Sequence, residues 1–404
     1  MPELLRPPAI LDILEEHLNE LDFLWEQRER FVFSPDWTLK QLAAHEERAE
    51  AHLDGLRIGA GHSVDIARPA LTAGETGLAT AATFVLTAFD LPELEHEVLH
   101  ALKAAPPKSR DGIRIGLRHV DIKRMAAELV ELAISAAPAV RAAALDILAF
   151  HRLPPPKGIP VLLADPDPRV RLLVYDAAGR FGGPWSYDVL RDALDDDSPA
   201  LRLAALRASA RMGLPDLSDT CRKAAVRADN PAPEALTFLG VLGDRSDLPI
   251  LLNSIRRPRL TAAALAGLGS LGSIGVVPAL LDAMADAKLA HAAGRAFVRI
   301  TGAADIGAST PSPPPEDLTE EEQGTWDESL PPDPAKARAW WEQERGRLSL
   351  AARYQSGHDV TKMPLGDRFD EMPLETRLDL YLGARASDPR GTIDREFERR
   401  VRFS

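Results

Sequence analysis

The stretch DPDPRVRLLVYDAAGRFG, residues Asp165–Gly182, decides the fold. Asp165 and Asp167 stand one residue apart, and paired carboxylates are what a hard cation or a proton-transfer site needs. Their surroundings point elsewhere. Asp167 precedes Pro168, so an N-cap acceptor is followed by a residue with no N–H to satisfy and a φ already suited to a helix. From there the apolar Val170, Leu173, Val174, Ala177 and Phe181 recur on one helical face, and Gly182 supplies a left-handed C-terminal turn. The two aspartates read as turn and cap residues, and the stretch reads as one helix running from proline to glycine.

Alignment of the chain with itself gives further copies: PAVRAAALDILAFHRL, PALRLAALRASARMG, NPAPEALTFLGVLG, PRLTAAALAGLGSLG and KLAHAAGRAFVRITG. Gly182, Gly213, Gly243, Gly272 and Gly302 lie 31, 30, 29 and 30 residues apart, and a fixed period near 30 is the signature of a repeat architecture. Ser198 before Pro199 and Asn230 before Pro231 fill the cap position of Asp167. A second, short apolar run follows each glycine: YDVLRDAL, LPILLNSI, VPALLDAM. Each unit is then two antiparallel helices that bury a face only when stacked on like units. The fold class predicted is all-α: an α-solenoid of helix pairs with an N-terminal helical hairpin and a C-terminal helical segment.

Composition agrees. Of 404 residues 45% are hydrophobic and only 5% aromatic, a mix suited to helices packed through small side chains. The net charge is −13, and it is uneven. Residues 1–70 carry 7 basic and 14 acidic side chains and residues 303–404 carry 14 and 21, whereas residues 138–302 carry 20 and 17. No region has the basic excess that phosphate neutralisation requires, so nucleic acid is not an expected partner. One cysteine, Cys221, excludes an internal disulfide, and the start MPELLRPPAILDIL lacks a basic n-region with a long apolar run; the expected location is cytoplasmic. No apolar stretch is long enough to span a bilayer.

DPDPRVRLLVYDAAGRFG and its copies resemble the HEAT-like repeats of the phycobilisome-lyase type. HLNELDFLWEQRERFVFSPDWTLKQLAAHEERAEAHLDGLRIG, RPALTAGETGLATAATFVLTAF and PPDPAKARAWWEQERGRL resemble segments of a proteobacterial family of uncharacterised HEAT-like proteins, often encoded near type VI secretion genes. That resemblance implies a partner such as a secretion effector, a toxin or a spike component, and a role as adaptor, chaperone or immunity protein. It implies no catalytic residues and no cofactor. The expected organisation is an N-terminal hairpin or cap over 1–69, a repeat solenoid over 70–302, a Pro-rich acidic linker over 303–335 and a C-terminal helical segment over 336–404.

Candidate sites are few. LEHEVLHAL places His96, Glu97 and His100 in the H-E-x-x-H order, which on a helix aligns two zinc ligands with a glutamate base. His119, Glu128 and Glu131 are the nearby candidates for a third ligand. Against this, no H-x-x-G-x-x-H continuation follows, and Glu93 and Glu95 place charge on a helix that zincins bury. A zinc-dependent hydrolase, or a HEAT-fold lyase or other modifying enzyme, is therefore the alternative to a non-enzymatic scaffold binding another protein. Arg191, Arg222 and Arg256, with Lys223, Arg227 and Arg257, fall on or just after the second helices and suit an acidic partner. Trp25 and Trp37 in the hairpin either pack it against the first repeat or form a docking surface. Cys221 reads as a buried inert thiol. GLGSLGSIG lies inside a repeat with no preceding strand, so it is no phosphate loop.

Overall fold

The computed structural model describes residues 10–154, 156, 159–182, 187–307, 332–362 and 372–387. They contain twenty α-helices and one two-stranded hairpin. Contacts divide them into two units, one of residues 10–194 with 204–212 and one of residues 195–203 with 213–387.

The first unit opens with the helical hairpin expected, α1 (Leu11–Phe31) and α2 (Leu39–Gly59). Thr38 starts α2 with a reciprocal capping box: its hydroxyl accepts the Gln41 main-chain N–H, and the Gln41 side-chain Oε1 accepts the Thr38 N–H at 2.8 Å. Then come α3 (Gly61–Ala70), α4 (Thr76–Thr87), α5 (Pro92–Ala104), α6 (Pro107–Arg118), α7 (Ala126–Ser135), α8 (Pro138–Phe150), α9 (Ile159–Leu163), α10 (Pro168–Phe181), α11 (Tyr187–Ala193) and, from Ala204 on, α12 (Pro199–Met212). Helices α4, α6, α8 and α10 stack in succession, and each packs against the helix that precedes it in the chain. Regular pairing thus begins at Gly61, earlier than the glycine period reveals, because α4, α6 and α8 end at Ala88, His119 and His151 instead of glycine.

Helix α10 is built as its sequence requires. The Asp167 carboxylate accepts the Arg169 N–H at 2.9 Å, and Asp165 accepts the Asp167 N–H at 2.9 Å. Both aspartates are punctuation. The buried face runs through Val170, Val174, Ala177 and Ala178 with Tyr175 and Gly179, leaving Leu173 and Phe181 half-buried.

The second unit repeats the pattern with α13 (Leu217–Arg227), α14 (Ala232–Leu242), α15 (Leu248–Ile255), α16 (Thr261–Leu271), α17 (Val277–Ala283) and α18 (Ala290–Thr301). Two local expectations fail here. Asn230 is not a cap: α14 starts one residue later, with Pro231 at the cap position and no side-chain acceptor. Gly243 has φ −83°, so α14 ends in extended backbone and not in a left-handed turn. Asp244 and Asp247 replace that turn with a capping box of their own. Gly272 and Gly302 do form left-handed caps, with φ +73° and +66°, whereas Gly182 has a positive φ of +65° but ψ 168°, outside the left-handed turn expected.

Downstream, α19 (Pro334–Glu344) is capped by Asp333, and Ala337 and Trp341 join the apolar core around Leu280, Phe297 and Ile300. Trp340 meets Phe297 edge-on at 5.8 Å. The tryptophan pair therefore anchors this segment to the repeats of its unit. The hairpin β1 (Tyr354–Gln355) and β2 (His358–Asp359) follows, then α20 (Leu374–Ser387), which packs on α14. Residues 308–331, most of the expected acidic linker, and residues 388–404 lie outside the described residues.

Residues 353–357 finish three helices at once. The last carbonyls of a helix lack intrahelical donors. Tyr354 N–H bonds the Gly272 carbonyl at 2.7 Å, Ser356 N–H that of Arg299 at 2.6 Å, and Gly357 N–H that of Ile300 at 3.0 Å. Gln355 Nε2 donates to Ser270, and Arg353 Nη2 to Gly240 and Ser270. A Cβ on Gly302 would stand 2.5 Å from the Ser356 carbonyl oxygen, whereas a Cβ on Gly182 would meet open space. Gly182→Ala should destabilise by about 1 kcal/mol through backbone strain alone. Gly302→Ala should lose about 1–3 kcal/mol more because the hairpin must also move. Urea titrations measure both, and equal losses would mean that the hairpin does not constrain Gly302.

Candidate functional site

Helix α5 carries His96, Glu97 and His100. His96 is 69% exposed, with Nδ1 3.4 Å from Glu128 Oε2. Glu97 does not face a ligand pair as a free base, because both its oxygens accept from Arg68 at 2.8 and 3.1 Å. Glu95, expected on the surface, is buried and held by Arg124 Nη2 at 2.6 Å. Of the third-ligand candidates, Glu128 is engaged by Lys103 at 2.8 Å and Glu131 is exposed. His119 is enclosed between the rings of Trp25 and Phe150 at 5.1 and 5.0 Å. Burial tends to raise the Glu128 carboxyl, but Lys103 and His96 outweigh it and hold it below its ordinary range. Among the described residues, no three His, Cys, Asp or Glu side chains are already grouped as metal ligands.

The three arginines fall in different units. Arg191, on α11 of the first unit, is half-exposed and 3.5 Å from Asp188. Arg222 and Arg256 belong to the second unit. Arg222 is structural: it binds buried Asp247 through Nε at 2.6 Å and Asp219 at 2.6 Å, and these bonds raise its pKa. Arg256, just after α15, is exposed. Among the described residues, Lys223, Arg256, Arg257 and Arg259 are exposed cations without an ion pair. Lys223 lies on α13, and Arg256, Arg257 and Arg259 follow α15; these two second-helix elements pack on each other. Arg227, by contrast, pairs with Asp229 at 2.8 Å. Arg222→Ala should therefore destabilise the fold by about 1–3 kcal/mol by leaving Asp247 buried beside backbone donors alone. Arg256→Ala should change stability by less than about 0.5 kcal/mol. Thermal melts of the two variants check this, and equal melting temperatures would dismiss the structural role of Arg222.

The hairpin tryptophans are not a docking surface of equals. Trp25 is buried, edge-on to Phe84 at 4.6 Å with the Arg28 guanidinium over its ring, so it locks α1 onto α4. Trp37 is half-buried and stacks on Phe31 at 3.7 Å. Phe23 and Phe33 are the exposed aromatics of the hairpin. Cys221 is buried, and burial pushes its thiol up to about 12, so it is not a thiolate at neutral pH.

Sequence reasoning missed an ionic ladder in the first unit. Asp146 on α8, fully buried, accepts Arg114 at 2.7 Å and both Arg118 nitrogens at 2.8 and 2.5 Å. Asp176 on α10 accepts Arg180 at 2.8 Å and also Arg211 of α12. Phe150 lies between the Arg118 and Arg180 guanidiniums, at 5.2 and 5.0 Å. Burial alone would raise both carboxyls, but the arginines outweigh it and keep them below their usual range. The signal was present: Asp146 and Asp176 are 30 residues apart, and Arg180 and Arg211 are 31 apart. With its carboxylates ion-paired and no nucleophile among these residues, the ladder ties repeats together and offers no catalytic group.

Asp22 of α1 presents the opposite case. Its Oδ1 is buried against Gly77 without a hydrogen bond, and burial, then Glu26 and Glu75, raise its pKa to about 6. A carboxyl raised in the folded state favours folding while protonated, and that contribution fades as pH climbs from the ordinary value near 4 through 6. Asp22→Asn should then stabilise the chain above pH 6, by about 1 kcal/mol after solvent screening, and have no such benefit at pH 4. A pH series of melting temperatures tests it; a gain equal at both pH values would contradict the shift.

A family description of HEAT repeats matches residues 126–210 and 155–235, which run from α7 into α14. No curated protein matches the chain. The helix-on-helix stacking and this match agree on an all-α, HEAT-like α-solenoid class. HEAT repeats suit a helical scaffold for protein interaction. Among the described residues, no helix is long and apolar enough to cross a membrane.

Proposed function

We propose that this chain is a non-enzymatic scaffold that binds another protein through its helical repeats, with the second helices of the second unit as the contact surface. The observation that supports it is the set of exposed, unpaired cations Lys223, Arg256, Arg257 and Arg259 on a chain whose net charge is −13. Arg222 and Arg227 beside them are ion-paired, whereas these four cluster without a carboxylate partner among the described residues. Left open, the cations suit a partner with an acidic face, and they act mainly on association rate and salt dependence. The finer reading is an adaptor, chaperone or immunity protein in type VI secretion, in the cytoplasm, with an effector, toxin or spike component as partner. It rests on the resemblance of the N-terminal segment and of PPDPAKARAWWEQERGRL to that family.

The test is capture of partners from the native host with the full chain, followed by titration of the partner against Lys223→Glu/Arg256→Glu/Arg257→Glu. The expected result is about tenfold weaker binding at low ionic strength, with the difference shrinking as salt screens it. Wild-type affinity in this variant, with binding lost on changing Phe23 and Phe33, would move the contact to the hairpin.

A further inference from the structure

Helices α1 and α2 bring two histidines together in a way that their own packing does not require. His17 Nδ1 stands 3.0 Å from His52 Nδ1, with the rings 5.1 Å apart and inclined at 68°. Both imidazoles are half-buried, so the pair is supported by the hairpin and open to solvent. Room for it comes from Gly55, three residues after His52 on the same helix. A Cβ there would stand 2.7 Å from His17 Nε2 and 2.9 Å from its Cδ2. Glycine weakens a helix interior, and here its missing side chain is what seats the His17 ring.

Two imidazole nitrogens that bind one tetrahedral ion at about 2.0–2.1 Å each are about 3.3–3.4 Å apart. The observed separation needs only a few tenths of an ångström of opening. Glu20 lies one turn after His17 on the same face of α1, is half-buried, and makes no hydrogen bond or ion pair among the described residues. It acts on His52 electrostatically. We propose that His17 and His52, joined by Glu20 through a change of its side-chain rotamer, bind one divalent transition-metal ion across the α1–α2 hairpin. Two nitrogens and one carboxylate oxygen suit zinc and its neighbours in the first transition row, and water completes the coordination. The imidazole that carries its proton on Nδ1 in the metal-free pair moves it to Nε2, so each Nδ1 offers a lone pair and no redox step is involved. Burial, and then the facing His17, lower the His52 pKa and favour the neutral ligating form.

The experiment uses the full chain without a histidine tag, stripped with a chelator and titrated with zinc by calorimetry, with cobalt as a spectroscopic substitute. One ion per chain, a rise in melting temperature, and visible cobalt bands of tetrahedral intensity are expected. His17→Gln and His52→Gln should each weaken zinc binding by more than about tenfold and abolish the cobalt bands, with helical content unchanged. Glu20→Gln should weaken it by about tenfold, and full affinity there would strike Glu20 from the ligand set. His96→Gln should leave binding intact. No stoichiometric zinc, full affinity in both His17→Gln and His52→Gln, or loss in His96→Gln would each overturn the proposal.

Discussion

Successive first helices lie so close that a single methyl group would separate them, and the rest of each unit depends on that approach. In the second unit a Cβ on Gly240 would stand 2.6 Å from the Gly267 Cα, so α14 and α16 meet backbone to backbone. In the first, a Cβ on Gly179 would stand 2.7 Å from the Ala208 Cα, where α10 meets α12. Such contacts remove the gap that larger side chains would leave, and dense packing recovers the dispersion energy that a gap forfeits. They also explain a composition with many alanines and few aromatics. Short second helices follow, because each needs only to cover the outside of one first-helix pair.

Close approach leaves polar groups near helix ends with little water, and each unit answers differently. The first unit uses charge: Asp146 and Asp176 gather arginines from α6, α10 and α12, so the buried Asp146 and the half-buried Asp176 are each paired and hydrogen-bonded. An unpaired charge there would cost several kcal/mol. The second unit uses backbone: residues 353–357 donate to the carbonyl ends of α14, α16 and α18. Arg299 adds an ion pair to Asp379 of α20 at 2.5 Å, which also takes the Ser270 hydroxyl. The downstream segment is therefore part of the fold of its unit.

The N-terminal hairpin shows how a terminal element seals a stack of repeats. Trp25 and the buried Arg28–Glu46 pair, bonded at 2.8 Å, face inward, while the outer face mixes acidic residues with exposed Leu11, Ile13, Phe23 and Ile58. The same hairpin holds the Asp22 carboxyl, raised by burial, and the imidazole pair of His17 and His52, so the least repeat-like element carries the least ordinary chemistry.

The fold class was legible in the sequence because the repeat period is a local property. Proline after a cap residue starts a helix and glycine with positive φ ends it, whatever lies across the interface, and Asp165 and Asp167 do what their neighbours dictate. The Asn230 and Gly243 expectations failed where that logic met tertiary context: Asp244 and Asp247 could close α14 without a left-handed turn. The site was less legible. Nothing near Arg222 in the chain announces Asp247, 25 residues on, and nothing near Trp25 announces Phe84 or His119. H-E-x-x-H was visible as a spacing, yet Arg68, on another helix, decides what Glu97 does. The amino-acid sequence by itself determined the helical class and the repeat period, since those are set within a few residues by capping and periodicity. Only the tertiary structure decided which charges are neutralised and which remain open, because ion pairing depends on distance in space between residues one repeat or more apart.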